Sequence, residues 1–279
     1  MFDVFQYPFI QRAFLIGTIA AVPFGLIGTF VVVRRIGYLA GAIAHCAFGG
    51  IGAGLYLQYL LAATVFAGIV SPMAVSLLLT VFAALLIGAI RIKVKEREDT
   101  LIGAVWAIGM ALGMIFLSLT PGNTNISSYL FGDILLLSHS DVYLVAGVSA
   151  FVLVCIFFFF RRLEAVCFDA EFAQLRGIHT SLYFQLLLVL TALTVVLFVR
   201  VIGILLLIAM LTLPAAAACR FSRYFWGERL LPIACLAVVF AALASWVGLT
   251  LSICFNLPAG PMVVLTAAVI YFLSLIVKP

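Results

Sequence analysis

The chain has 279 residues, of which 67% are hydrophobic and 9% charged, with a formal net charge of +5; ordinary soluble domains carry about 25% charged residues. A soluble globule must present a largely polar skin to water, so this composition, with a mean hydropathy of +1.35, excludes one and leaves lipid as the solvent. Membrane-spanning segments must satisfy their own backbone hydrogen bonds as helices or closed barrels, and the long, unbroken apolar runs select helices.

In chain order, the opening MFDVFQYPF lacks the basic start of a cleavable signal peptide, so the first span is expected to drive insertion. That span covers roughly 13–33 and stops at Arg34-Arg35. A second starts near Tyr38 and runs past Leu57; it is rich in Gly and Ala (LAGAIAHCAFGGIGAG), which admits a close neighbour. After a turn at Ser71-Pro72, a third runs to about Ile90, followed by the dense charged stretch RIKVKERED. A fourth covers about 101–119, and TPGNTNISSYLFGDILLLSHSD, 120–141, reads as the longest mixed polar loop. A fifth, about 142–160, ends at Arg161-Arg162, and 163–180 reads as a second stretch outside the membrane. The sixth covers about 181–199, with Arg200 interrupting, and the seventh, about 202–219, contains Pro214. The eighth covers about 230–252, NLPAGP makes a turn, and a ninth ends at Lys278.

The expected fold is therefore all-α, a polytopic transmembrane bundle of about nine spans, with eight to ten possible at about 20 apolar residues per span. The short regions 120–141 and 196–206 are the places where re-entrant helices would change the number. Residues 1–279 read as one transmembrane domain. Putting the ends of alternate spans together collects every Lys and Arg except Arg12 and Arg200 on one side. The positive-inside rule makes that side cytoplasmic, with the N-terminus outside and the C-terminus inside. These basic residues sit at span ends, and no nucleic-acid partner is expected. The six cysteines are scattered singly and predict no structural disulfide. No Gly-x-x-x-x-Gly-Lys-Ser/Thr occurs, so the chain has no P-loop of its own.

Charges inside a membrane are costly and mark function when present. None of the well-placed spans contains Asp, Glu, Lys or Arg, which argues against a proton-relay carrier and for a chain powered from outside. His45, beside Cys46, is the polar exception. Two readings stand for it: a neutral histidine bonded at a helix contact, or a transient transition-metal ligand. A single imidazole makes a weak site, and a transporter needs that weakness to release its ion. In the 120–141 loop, Asp133, His139 and Asp141 with Asn123 and Asn125 are either a solvated, helix-capping loop or a vestibule for a cation; Asp133 stands out in the apolar LFGDILLL. In FDAEFAQLRGI, Phe168, Phe172 and Leu175 fall at i, i+4 and i+7, with an acidic start and a stop at Gly177. Such a short amphipathic helix either lies on lipid or docks in a groove of a soluble partner.

Taken together, these segments resemble the permease subunits of metal-cation (zinc, manganese, iron) ABC transporters over nearly the whole chain. The double arginine and His-bearing helix of GTFVVVRRIGYLAGAIAHCAFGGIGAG, then EDTLIGAVWAIGMALG, SSYLFGDILLLSHSD, FDAEFAQLRGI, VIGILLLIAMLTLPAAAA and NLPAGPMVVL follow the family's signatures in order. The resemblance implies a fold related to the vitamin B12 and siderophore permeases. It implies a bacterial plasma (inner) membrane protein, not an enzyme, which pairs with a second permease copy and with ATPase subunits that bind the ATP. An extracytoplasmic binding protein would deliver a divalent metal ion as cargo, with no covalently bound cofactor. Phe168, Asp169, Glu171, Ala173 and Gly177 would belong to the segment, within about 163–180, that couples to the ATPase. His45, with Cys46 and Asp133 as weaker candidates, would meet the metal. Family members commonly carry an Asp one turn before this histidine; here that place is Gly41. Losing a hard oxygen ligand weakens the manganese case relative to zinc. A permease for chelated iron, haem or a corrinoid, a self-sufficient carrier or channel, and a purely structural membrane subunit are the other readings.

Overall fold

The computed structural model describes residues 7–61, 71–93, 98–121, 132, 139–225, 227 and 229–276, apart from the side chains of residues 91–93, 98, 99, 101, 139, 140 and 200. Among these residues the only regular structure is helical. The helices are α1 (Pro8–Val33), α2 (Gly37–Leu61), α3 (Pro72–Lys93), α4 (Glu98–Leu119), α5 (His139–Phe168), α6 (Ala170–Leu175), α7 (Thr180–Ile202), α8 (Ile204–Phe225), α9 (Leu230–Phe255) and α10 (Ala259–Ser274). Eight of them are long and apolar enough to cross a membrane. α10, with 16 residues, reaches about 24 Å at 1.5 Å per residue, somewhat less than the ~30 Å hydrocarbon core. The chain is thus a polytopic helical bundle: among the described residues eight helices fall where the first eight spans are expected, and the shorter α10 lies where the ninth is expected.

Local chemistry sets the breaks. After α1 the chain turns through Arg34 and Arg35, the latter left-handed at φ 57°, with Arg35 N–H donating to Val32 O (3.0 Å) and Ile36 N–H to Val31 O (2.9 Å). This pair of bonds closes the helix C-terminus. Between α7 and α8 the break is the single residue Gly203, at φ 84°, a conformation open to glycine at little cost. The expected interruption at Arg200 therefore falls three residues later, and α7 runs through that position. α9 ends on Asn256, left-handed at φ 53°. The expected span end at Arg161-Arg162 is also exceeded: α5 continues to Phe168. Leu163, Val166 and Cys167 carry the helical stripe onward into the core. Arg162 stays at the edge and donates from Nη1 to Tyr183 Oη at 2.6 Å.

Lipid is as apolar as leucine, so helices associate here through close packing and hydrogen bonds rather than hydrophobic exclusion. α1, α2 and α7 are mostly buried, whereas α3, α4 and α5 show most of their surface. Phe24 of α1 and Phe198 of α7 meet in the centre with ring centroids 4.8 Å apart. Buried threonines satisfy themselves along their own helices, as when Thr29 Oγ1 donates to Gly25 O at 2.7 Å and Thr194 Oγ1 to Leu190 O at 2.8 Å. Other hydroxyls tie helices together: Ser76 Oγ of α3 donates to Ala47 O of α2 at 2.8 Å.

Candidate functional site

The packing of α2 on α4 builds the surroundings of His45. It is the most extensive helix pair among the described residues, and glycines make it possible. A Cβ on Gly49 would lie 2.7 Å from Gly109 O, and one on Gly52 2.7 Å from Gly113 O. Gly109 itself lies against the backbone of His45 and Cys46, where a Cβ would stand 2.9 Å from His45 O. Real Cβ atoms do not approach so closely, so any side chain at these positions would push the two helices apart.

This closeness brings the side chains flanking Gly109 to His45. Trp106 stacks on the imidazole, with centroids 4.6 Å apart and planes at 23°. Met110, one turn further along α4, places its Sδ 3.4 Å from His45 Nδ1. With the proton on Nδ1 the ring donates to the thioether. Cys46 points elsewhere and donates from Sγ to Val105 O at 3.8 Å. His45 and Cys46 are both half-buried.

Trp106 also explains Gly41. A Cβ at position 41 would meet the indole Cζ3 at 2.9 Å, so the ring occupies the space that a side chain there would enter. Trp106 and Gly41 line an open groove of ≈ 530 Å³, together with Tyr38, Thr212 and Tyr271. Trp106 and Tyr38 also line a second hollow of ≈ 450 Å³ with Ile102 and Gly103. Among the described residues no three His, Cys, Asp or Glu side chains gather as a metal cluster. Asp133, Asn123 and Asn125 lie outside the described residues. Asp141 falls in the first turn of α5 rather than at its cap, because the helix already begins at His139.

The second group of sequence candidates forms the short helix α6. Asp169 is its N-cap, its carboxylate accepting from Phe172 N–H at 2.9 Å. At the other end Gly177, left-handed at φ 79°, donates to Gln174 O at 2.9 Å, while Ile178 N–H donates to Ala173 O at 3.0 Å. Those two bonds are the paired closure that glycine favours at a helix end. Ala173 is buried and anchors the turn, whereas Phe168, Phe172 and Leu175 face outward, Leu175 with 86% of its surface exposed. Glu171 is exposed, and the Arg176 guanidinium lies 4.6 Å over the Phe172 ring. The expected single stripe is split: Phe172 and Leu175 belong to α6, whereas Phe168 is the last residue of α5, separated from them by the extended Asp169.

Sequence reasoning named His45 and the α6 residues as candidates and did not name Trp106 and Met110, which the structure places against the imidazole. The available signal was the spacing of glycines, Gly49 and Gly52 on α2 matching Gly109 and Gly113 on α4, which marks the two helices as partners.

Comparisons with known proteins agree with this architecture. Residues 6–278 match the family described as the ABC 3 transport family. The chain is 38% identical over 277 residues to a probable metal transport system membrane protein of Chlamydia pneumoniae, covering 99% of this chain and 91% of that one. It is 29% identical over 274 residues to the manganese transport system membrane protein MntC of Listeria monocytogenes, covering 98% and 92% of the two chains. Among solved structures it is similar to PsaBC from Streptococcus pneumoniae in complex with Fab, with a TM-score of 0.84 and 29% identity over 100% of this chain and 97% of that one. The chain belongs to the ABC 3 transport family, as a multi-pass membrane permease and not an enzyme.

Proposed function

We propose that residues 1–279 form a single transmembrane permease domain of an ATP-driven importer for a divalent transition metal, zinc before manganese or iron. The ion passes from an extracytoplasmic binding protein to the cytoplasm by alternating access. The protein sits in a bacterial plasma membrane with its N-terminus outside and C-terminus inside, paired with a second permease copy and with ATPase subunits that hold the ATP. The metal transport named for its relatives supports the cargo class, and the absence of a carboxylate at Gly41 supports zinc over manganese. His45 is the pathway residue, with Cys46 beside it; Asp133 is assigned from sequence alone as a receiving carboxylate.

The observation that carries this reading is α6. A helix of six residues has no stability of its own, yet this one is closed at both ends and pinned by Ala173. It still presents Phe168, Phe172 and Leu175 outward, on the side where the basic residues collect. A rigid apolar ridge between two spans suits a groove on a soluble partner, and through it ATP-driven motion of the partner would reach the bundle. Asp169 and Gly177 hold the ridge in shape and Glu171 edges it.

The test is co-expression with the cognate ATPase and purification through a tag on the permease. Because Leu175 touches so little of its own chain, Leu175→Glu should leave insertion and detergent stability unchanged. It should lower the co-purified ATPase about tenfold or more, the size of a hot-spot loss. Undiminished ATPase with Leu175→Glu, or with residues 168–178 scrambled, would refute the coupling role.

A further inference from the structure

The α2–α4 seam supplies a second donor beside His45. Nδ1 of His45 and Sδ of Met110 stand 3.4 Å apart. Zinc holds imidazole nitrogen at about 2.0–2.1 Å and thiolate sulfur at about 2.3 Å, which at about 100–110° sets the two donors about 3.3–3.6 Å apart; a neutral thioether, with its longer bond, sets them at the upper end of that range or slightly beyond. The two side chains therefore stand close to the spacing that grips one ion from adjacent tetrahedral positions. Trp106, stacked on the imidazole with centroids 4.6 Å apart, packs against one face of the ring and limits its tilt. Its indole fills the space in front of Gly41. As ligands neither donor carries charge; the three side chains are all half-buried, and Trp106, stacked on His45, lines the ≈ 530 Å³ groove.

We propose that His45 Nδ1 and Met110 Sδ form a two-donor nitrogen–sulfur station for the cargo, so that this permease selects borderline or soft transition cations, Zn²⁺ first, over Mn²⁺. The proposal rests on the reading of the chain as a cation permease. Thioether and imidazole donors suit zinc and softer ions, while manganese prefers carboxylate, carbonyl and water. In the Nδ1–H tautomer the ring proton bonds to sulfur. On binding, the ring takes its Nε2–H tautomer and gives the Nδ1 lone pair to the ion, which leaves it neutral and releases no net proton. Two donors leave the other positions of the ion to water, and such partial grip lets the cargo move on.

The experiment uses the permease–ATPase complex, with zinc added at one equivalent, and reads the zinc X-ray absorption fine structure. The same transporter in cells is assayed for radioactive zinc and manganese uptake. One sulfur neighbour should appear in the native complex and in Cys46→Ser, and vanish in Met110→Leu. Zinc uptake should fall about tenfold in Met110→Leu, equivalent to about 1.4 kcal/mol, with manganese uptake nearly unchanged. Met110→Gln, similar in length but with a hard oxygen, should shift the zinc-to-manganese uptake ratio toward manganese. A sulfur neighbour that survives Met110→Leu, one that disappears in Cys46→Ser instead, or an unchanged uptake ratio in both Met110 variants would overturn the station. Failure of the native complex to take up any cation with ATP would instead refute the permease reading beneath it.

Discussion

Placing an aspartate at position 41 is the most informative perturbation of the bundle, because the structure says what must yield. In Gly41→Asp the new Cβ meets Trp106 Cζ3 at 2.9 Å and Cη2 at 3.3 Å. The ring is half-exposed on the groove, so it can swing out, whereas the backbone of α2 is locked by the glycine seam. The swing breaks the stacking on His45, a loss of about 0.5–1.5 kcal/mol, and a carboxylate within a span adds about 2.5–3.5 kcal/mol at most. Trp106→Ala alone loses the same stacking, so the clash and the stacking vanish together when both changes are made. The double variant should then be more stable than the sum of the single effects, by about 0.5–1.5 kcal/mol. Reversible unfolding in detergent measures the cycle. Trp106 is one of three tryptophans, so red-shifted emission in Gly41→Asp reports its exposure. Additivity within about 0.3–0.5 kcal/mol, with unshifted emission, would refute the claim that Trp106 occupies the space in front of Gly41.

Two further outcomes follow from the same geometry. Gly49→Leu forces a side chain against Gly109 O and should cost about 1–3 kcal/mol of stability by overpacking, seen as a lower melting temperature in detergent, while Gly103→Ala, with nothing within 4 Å of its Cβ, should not. Asp169→Ala removes the N-cap of α6 and should cost about 1 kcal/mol, read as faster hydrogen exchange at the Phe172 amide, with Asp169→Asn close to native; equal exchange in Asp169→Ala would remove the cap from the account.

Much of the fold was legible because lipid permits so few structures. Once composition excluded water as solvent, unbroken apolar runs had to be helices, and their ends lay near Arg34, Pro72 and Asn256. The boundary at Arg161-Arg162 misled because charge was read as the membrane edge. Arginine tolerates the end of a span by reaching outward, and the apolar stripe of Leu163, Val166 and Cys167 continued the helix beyond it. The α6 residues were readable because their roles are local: Asp169 caps and Gly177 stops; the break at Asp169, which leaves Phe168 on α5, was not read from the spacing. The surroundings of His45 are not local. Met110 and Trp106 lie more than sixty positions along the chain, and only the match of glycines between α2 and α4 brings them to the imidazole. Gly41 was legible as a position without a side chain; that a tryptophan from another helix fills the space before it was not.

The central claim is that this bundle passes a transition-metal ion past His45 when a partner hydrolyses ATP. The most direct measurement is accumulation of radioactive zinc and manganese in proteoliposomes carrying the permease, its ATPase and the binding protein, with native His45 or His45→Ala. The account predicts ATP-dependent accumulation that His45→Ala lowers about tenfold or more, the scale of 1.4 kcal/mol, while insertion and ATPase binding stay intact. Equal accumulation with His45→Ala, or accumulation without the ATPase, would contradict it.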